Sequence, residues 1–240
     1  MDASPPHRFL EELDTLVRAR YPLVYLVTSE EQRIEAILTG LADTHGKALF
    51  AWSATKGLRP IGGAKGAPPP DAREPLAALA AIEKLPEPAL VVLKDFHPYL
   101  ADPAVVRATR ELAHALKATY TTVLLVSPVL TLPPELEKEI SVLDVPLPTA
   151  QDLLQLLKEI VGVVRQNRRA VVDLRREDVE ALVQAARGLT LSEAESAFAK
   201  AIATDGRLSR DDVGLVLAEK RQVVRKSGVL EYHPADAGLS

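Results

Sequence analysis

The sequence contains no cysteine, which removes disulfides, thiolate metal sites and cysteine nucleophiles from consideration and makes the cytoplasm its natural compartment. Aromatic residues make up only 4% of it, so any core has to be built mainly from leucine, valine, isoleucine and alanine. No stretch approaches the roughly 18 apolar residues that a membrane-spanning helix needs. Residues 1–8 carry no apolar segment of the kind that marks a secretory signal. A strong excess of one charge is also missing. The formal net charge is −4, and basic residues alternate with acidic ones except around residues 165–169 and 220–226. A protein that neutralises many phosphates normally presents a basic face, so nucleic acid is disfavoured as the main partner. The histidines, His7, His45, His97, His114 and His233, are dispersed and form no zinc-binding pair, so no metal ligands are assigned.

What is present is an ordinary globular composition, 47% hydrophobic and 26% charged over 240 residues, enough for one large domain or a main domain with a smaller one. Residues 9–18 read as an amphipathic helix with Phe9, Leu10, Leu13, Leu16 and Val17 on one side. After Pro22 comes Leu23-Val24-Tyr25-Leu26-Val27, apolar on both faces, as in the centre of a parallel sheet covered by helices. Thr28 or Ser29 is placed to cap a helix over residues 30–44, whose buried stripe is Ile34, Ile37, Leu38 and Leu41. Further strands are expected over 47–52, 89–93, 122–126 and 141–145, with helices over 74–84 and 103–118 between them. Residues 53–73, rich in glycine and proline, read as a flexible insertion. Five strands separated by helices predict a doubly wound, parallel α/β layer. Past Pro146 and Pro148 the strands stop, and residues 150–166, 176–187, 192–204 and 209–226 read as four helices of a small lid. The expected division is an α/β domain over 1–148, a helical lid over 149–227 and a linker over 228–240.

Five parallel strands followed by a helical lid is the layout of an AAA+ module, and several phrases narrow the resemblance. Phe9-Leu10-Glu11-Glu12-Leu13-Asp14, Val92-Leu93-Lys94-Asp95-Phe96-His97-Pro98, Ser127-Pro128-Val129-Leu130 and Pro133-Pro134-Glu135-Leu136-Glu137-Lys138-Glu139-Ile140 carry it in the first part. Gly188-Leu189-Thr190-Leu191-Ser192-Glu193-Ala194-Glu195 and Lys226-Ser227-Gly228 carry it in the second. Together they resemble the N-terminal half of a family of bacterial and plastid AAA+ ATPases. That resemblance implies a degenerate ATPase-like domain in this half and a working one in a C-terminal module that is missing here, so the chain is expected to be a fragment. It also implies that ATP and Mg²⁺ belong to that missing module, that this fragment takes no cofactor of its own, and that the location is the cytoplasm or a plastid stroma.

The nucleotide-contacting positions can be compared in turn. A phosphate-binding loop needs glycines whose backbone N–H groups close on phosphate, a lysine, and a Ser/Thr for Mg²⁺. The matching position reads Thr28-Ser29-Glu30-Glu31, with neither glycine nor lysine and with two carboxylates where phosphate would sit. The run Gly62-Gly63-Ala64-Lys65-Gly66 lacks the closing GK[ST] and is followed by three prolines, as in a mobile insertion. A Walker-B strand ends in two acids, but here Lys94 stands at the metal position and Asp95 at the water-polarising one. We expect Lys94 to pair with Glu30 or Glu31. The sensor position is Ser127, the arginine-finger region reads Glu135, Glu137, Lys138 and Glu139, and the lid's sensor position offers Thr190, Ser192 and Glu193.

No catalytic residue is therefore assigned. The function expected is a structural, regulatory and partner-binding pseudo-ATPase domain whose partners are its own C-terminal module and a further protein. A nucleotide-binding module without hydrolysis is the alternative. A small hydrolase centred on Asp95 and His97 is the weakest reading, because no nucleophile elbow accompanies them. Trp52 is expected to be a half-buried residue at a strand end, with a partner-binding anchor as the other possibility.

Overall fold

The computed structural model describes residues 5–63, 72–86, 88–167 and 171–226. The chain divides into two compact units, Met1–Pro146 and Leu147–Ser240.

The first unit is built from α1 (Pro5–Arg18), β1 (Leu23–Val27), α2 (Glu31–His45), β2 (Ala48–Ser53), β3 (Gly57–Ile61), α3 (Pro75–Ile82), β4 (Ala89–Lys94), α4 (Pro103–Leu116), β5 (Thr122–Ser127) and β6 (Ile140–Asp144). They form a six-stranded sheet in the order β3-β2-β4-β5-β1-β6. All neighbouring pairs are parallel except β2 with β3. Alternation along the strands sends Leu23, Tyr25, Phe50, Trp52, Val91, Leu93, Val123 and Leu125 to one face, where α3 and α4 cover them. Val24, Leu26, Leu49, Ala51, Leu90, Val92, Leu124 and Val126 go to the other, under α1 and α2. Each fully buried Leu or Val contributes on the order of 1.5–3 kcal/mol by leaving water. This two-sided burial explains why the strands read as continuous apolar runs.

The sheet has six strands, and the expected five must be corrected. The additional strand, β3, falls in the stretch read as a flexible insertion. Gly57 at φ +66° allows the tight return from β2, and Lys56 N–H donates to Ser53 O at 3.1 Å. Pro60 is tolerated because β3 is an edge strand. Residues 64–71 of that stretch lie outside the described residues. Two further expectations change. Trp52 is fully buried, at 0% exposure, with its indole N–H donating to Ala72 O at 2.7 Å and its ring edge-on to Phe96 and Tyr99. The residue at the cap of α2 is Glu30 rather than Thr28 or Ser29, and its side chain makes no capping bond. The Thr28 hydroxyl instead accepts the N–H of Glu30 at 3.0 Å.

The second unit holds α5 (Ala150–Asn167), β7 (Val171–Val172), α6 (Arg176–Ala186), α7 (Leu191–Asp205), β8 (Arg207–Leu208) and α8 (Val213–Lys226). Strands do not stop at Pro146, since β7 and β8 form a short parallel pair. The core of this unit gathers Leu153, Leu157, Leu182, Leu189, Phe198, Leu208 and Val216. Thr190 and Glu193 form a reciprocal cap at the start of α7, and Gly206 ends it in the left-handed conformation. Residues 228–240, read as a linker, lie outside the described residues. Among the described residues, no helix is long and apolar enough to cross a membrane.

Candidate functional site

Open parallel sheets bind ligands at the carboxyl ends of their strands. Three such ends meet in the first unit: β1 leading into the loop Thr28-Ser29-Glu30, β5 ending at Ser127, and β4 ending at Lys94. Backbone bonds tie them together. Thr28 N–H donates to Ser127 O at 2.8 Å and Asp95 N–H to Val126 O at 3.0 Å. The positions matched to the phosphate loop, the Walker-B strand and the strand-end sensor, Thr28, Ser29, Glu30, Glu31, Lys94, Asp95 and Ser127, therefore lie along this one edge.

Lys94 extends from β4 to the face covered by α2. Its ammonium lies 3.0 Å from Glu31 Oε2 and 2.5 Å from Glu35 Oε1. Burial alone would lower its pKa, but hydrogen bonds and charge attraction from Glu35 and Glu31 outweigh that and hold it above the ordinary lysine value. The expected pairing with Glu31 forms. Glu30 takes no part in it and instead meets Arg33, whose guanidinium lies 2.7 Å from Glu30 Oε2 and donates to Pro146 O at 2.8 Å. The Glu30 and Arg33 side chains are only 6% and 12% exposed, so this pair fills the turn between β1 and α2. Arg33 and Glu35 were not anticipated. The signal was nonetheless in the sequence, since Glu30 with Arg33 and Glu31 with Glu35 stand at the i,i+3 and i,i+4 spacings that share a helix face.

At the end of β5, the buried Ser127 hydroxyl is 2.6 Å from His97 Nδ1, each able to donate according to the histidine tautomer. Asp95 is exposed, with φ +47°, and among the described residues no hydrogen bond or ion pair joins it to His97. The acidic segment is split in its roles. Glu139 is held by Lys117 at 2.9 Å and His114 at 3.1 Å, which keep its carboxyl below the ordinary range, the lysine having the larger effect. In the second unit, Thr190 and Glu193 are both engaged in the cap of α7.

An α/β unit with this strand order, a strand–loop–helix at its centre and a helical unit following in the chain has the architecture of an AAA-type module. The chain belongs to the SpoVK-like AAA ATPase family: residues 9–145 match the model of that family's N-terminal domain and residues 151–227 that of its second domain. It is 31% identical over 228 residues to the ycf46 protein of Guillardia theta, described as an uncharacterized AAA domain-containing protein, covering 94% of this chain and 43% of that one. The ycf46 protein of Trieres chinensis is 29% identical over 228 residues, with 94% and 44% covered. The chain thus spans less than half the length of these relatives. Its fold is similar to that of C. elegans PCH-2, with TM-score 0.58 at 13% identity over 94% of this chain and 71% of that one. It is also similar to the FIGL-1 AAA domain solved in complex with ADP, with TM-score 0.56 at 12% identity over 94% and 85%.

Proposed function

We propose that this module does not hydrolyse ATP and that it serves a longer AAA ATPase as a structural, regulatory and partner-binding unit. The observation that carries this reading is the Lys94 ammonium held between Glu31 and Glu35. A magnesium–triphosphate needs carboxylates at the end of β4 and a cation with free N–H groups at the start of α2. Here the charges are exchanged between those two places. Phosphate entering the turn would meet Glu30 and Glu31, and Mg²⁺ approaching β4 would meet a cation. The residues present do not fit the nucleotide. The loop Thr28-Ser29-Glu30 also has no glycine with which to wrap a phosphate.

On this reading the ATP and Mg²⁺ chemistry resides in a module beyond this chain, which is also its first protein partner. A further protein partner would use the segment 133–139 or the loop 94–98. The location would be the cytoplasm or a plastid stroma, with neither membrane nor nucleic acid as partner. A hydrolase centred on Asp95 and His97 lacks the acid–base contact it would need. The test is a titration with a fluorescent ATP analogue, with and without Mg²⁺. The expected result is no binding up to about 1 mM, a free energy weaker than about −4 kcal/mol. Saturable micromolar binding without turnover would replace this reading with that of a nucleotide-binding module without hydrolysis.

A further inference from the structure

Next to the Lys94 cluster the same sheet edge holds a cleft of about 430 Å³, lined in part by Ala51, Ser53, Lys56, Arg59, Lys94 and Asp95. Its origin is visible in the strand register. Ala51 on β2 stands opposite Arg59 on β3 and beside Val92 on β4. Leu58 packs into the core under α3 and α4, so alternation turns Arg59 to the opposite face, the one that Ala51 and Lys94 share. A small residue between two longer ones leaves a hollow, floored by Ala51 and Ser53.

The cations around this hollow are not equivalent. Lys94 is neutralised by Glu35 and by Glu31, which also lines the cleft and has its own charge taken up by Lys94. Arg59 is half-buried and Lys56 sits on the β2–β3 turn, and neither side chain has an ion-pair or hydrogen-bond partner among the described residues. A half-buried guanidinium with no acceptor among the described residues has N–H groups available to an oxyanion entering the cleft. Asp95 lines the same cleft with φ +47°. Non-glycine residues rarely adopt that conformation, and strain of this kind concentrates at ligand sites. Tyr99 and Pro98 also line it and add apolar surface. The volume lies within the range of roughly 300–1,000 Å³ that suits small molecules rather than macromolecules.

We propose that this cleft binds a small organic oxyanion, a phosphate monoester or a carboxylate. Its charged group lies against Arg59 and Lys56, and its body presents a hydrogen-bond donor to Asp95. The planar guanidinium fork matches either oxyanion, with Lys56 adding a point charge. The site involves no ATP chemistry, so it stands apart from the reading of the module as non-hydrolysing.

The experiment follows the arginine side-chain N–H resonances of the ¹⁵N-labelled chain by NMR. Inorganic phosphate, glycerol phosphate and malate are titrated separately at constant ionic strength. The expected result is a saturable shift at Arg59 with glycerol phosphate or malate, stronger than with inorganic phosphate because only the first two carry an alcohol hydroxyl set apart from the oxyanion, able to donate to Asp95 while the charge stays on Arg59. Which of the two binds more tightly assigns the oxyanion. Affinity, followed by backbone amide shifts, should fall at least about tenfold in Arg59→Gln, since a charge-assisted pair is lost. Asp95→Asn should abolish the preference for the hydroxyl-bearing probes. The Arg59 side chain makes no hydrogen bond or ion pair among the described residues, so its variant should fold as the wild type does. If it does not, Lys56→Gln on the exposed turn decides, with a severalfold loss expected. No saturable shift up to about 50 mM, or equal affinity in wild type, Arg59→Gln and Lys56→Gln, overturns the proposal. Binding of the ATP analogue that survives Arg59→Gln would replace the scaffold reading with that of a nucleotide-binding module and leave this cleft's assignment standing.

Discussion

Replacing Lys94 by methionine keeps the length and the apolar stem of the side chain and deletes only its charge, so it isolates the cluster at the end of β4. In the variant Glu31 and Glu35 face each other with no cation between them. The Lys94, Glu35 and Glu31 side chains are 17%, 27% and 36% exposed, so the cluster is neither on the surface nor fully buried. Exposed ion pairs are worth about 0–1 kcal/mol, whereas breaking a buried one costs about 3–5 kcal/mol. Solvent screening at Glu31 argues for the lower part of the gap, and the variant should lose about 2 kcal/mol. For a unit of this size that lowers Tm by about 4–8 °C. Trp52, the only tryptophan, reports on the first unit alone, so its fluorescence is the probe for the melt. Adding Glu31→Gln and Glu35→Gln to Lys94→Met should return much of the loss, because the uncompensated charges go with them. The pH dependence has a definite sign. The Lys94 pKa is raised in the folded state, so its contribution is complete below the ordinary value of 10.5 and is lost as pH rises through the folded value. The gap between wild type and variant should therefore be constant near neutrality and close in strong alkali. A Lys94→Met melt within about 1 °C of wild type would refute the account of the cluster.

Two other perturbations probe the frame around the edge. Trp52→Phe leaves Ala72 O without its donor inside the core and opens a small cavity between Phe96 and Tyr99, which should cost about 2–4 kcal/mol in urea unfolding followed by circular dichroism; a loss under about 1 kcal/mol would contradict the packing described. Glu139 has a lowered pKa, so its contribution is present above the ordinary value of 4.5 and lost as pH falls through the folded one. Wild type should accordingly be more stable than Glu139→Gln at neutral pH, and the difference should vanish in acid; a difference that persists well below pH 4.5 would show that Lys117 and His114 are not its source.

The sheet was legible wherever a strand is buried on both faces, because five apolar residues in a row between turn signals allow few other arrangements. Gly57–Ile61 was missed because it breaks that rule. It is an edge strand carrying a proline and an arginine, and its pairing depends on one glycine turn that composition cannot separate from a loop. Trp52 was placed half outside because it ends its strand, yet the aromatic residues that enclose it come from the loop after β4, far along the chain. At the site, single-residue comparison found Lys94, Glu30 and Glu31 but could not decide which charge meets which. Helical phase decided it. Glu31 and Glu35 share the face turned to β4, while Glu30 stands before the helix and is within reach of Arg33. The Ser127–His97 contact links a strand end to a loop 30 residues earlier and left no periodic trace.

The exchange of charges bears on what the fold can sense. A module that binds nucleotide only when folded gains stability of RT ln(1 + [L]/Kd), so its conformation follows the nucleotide supply. In this chain the cation and the carboxylates at the strand ends already satisfy one another, through Lys94 with Glu31 and Glu35 and through Arg33 with Glu30. On the reading proposed, no nucleotide term remains at that edge, and the turn between β1 and α2 keeps one arrangement whatever the nucleotide concentration. Arg33 adds a further constraint by holding Pro146 O, where the first unit ends. On that reading a fixed surface of this kind suits a partner that must find the same face whatever nucleotide the longer protein carries, and regulation by small ligands falls to the neighbouring cleft, where the Arg59 and Lys56 side chains have no acceptor among the described residues.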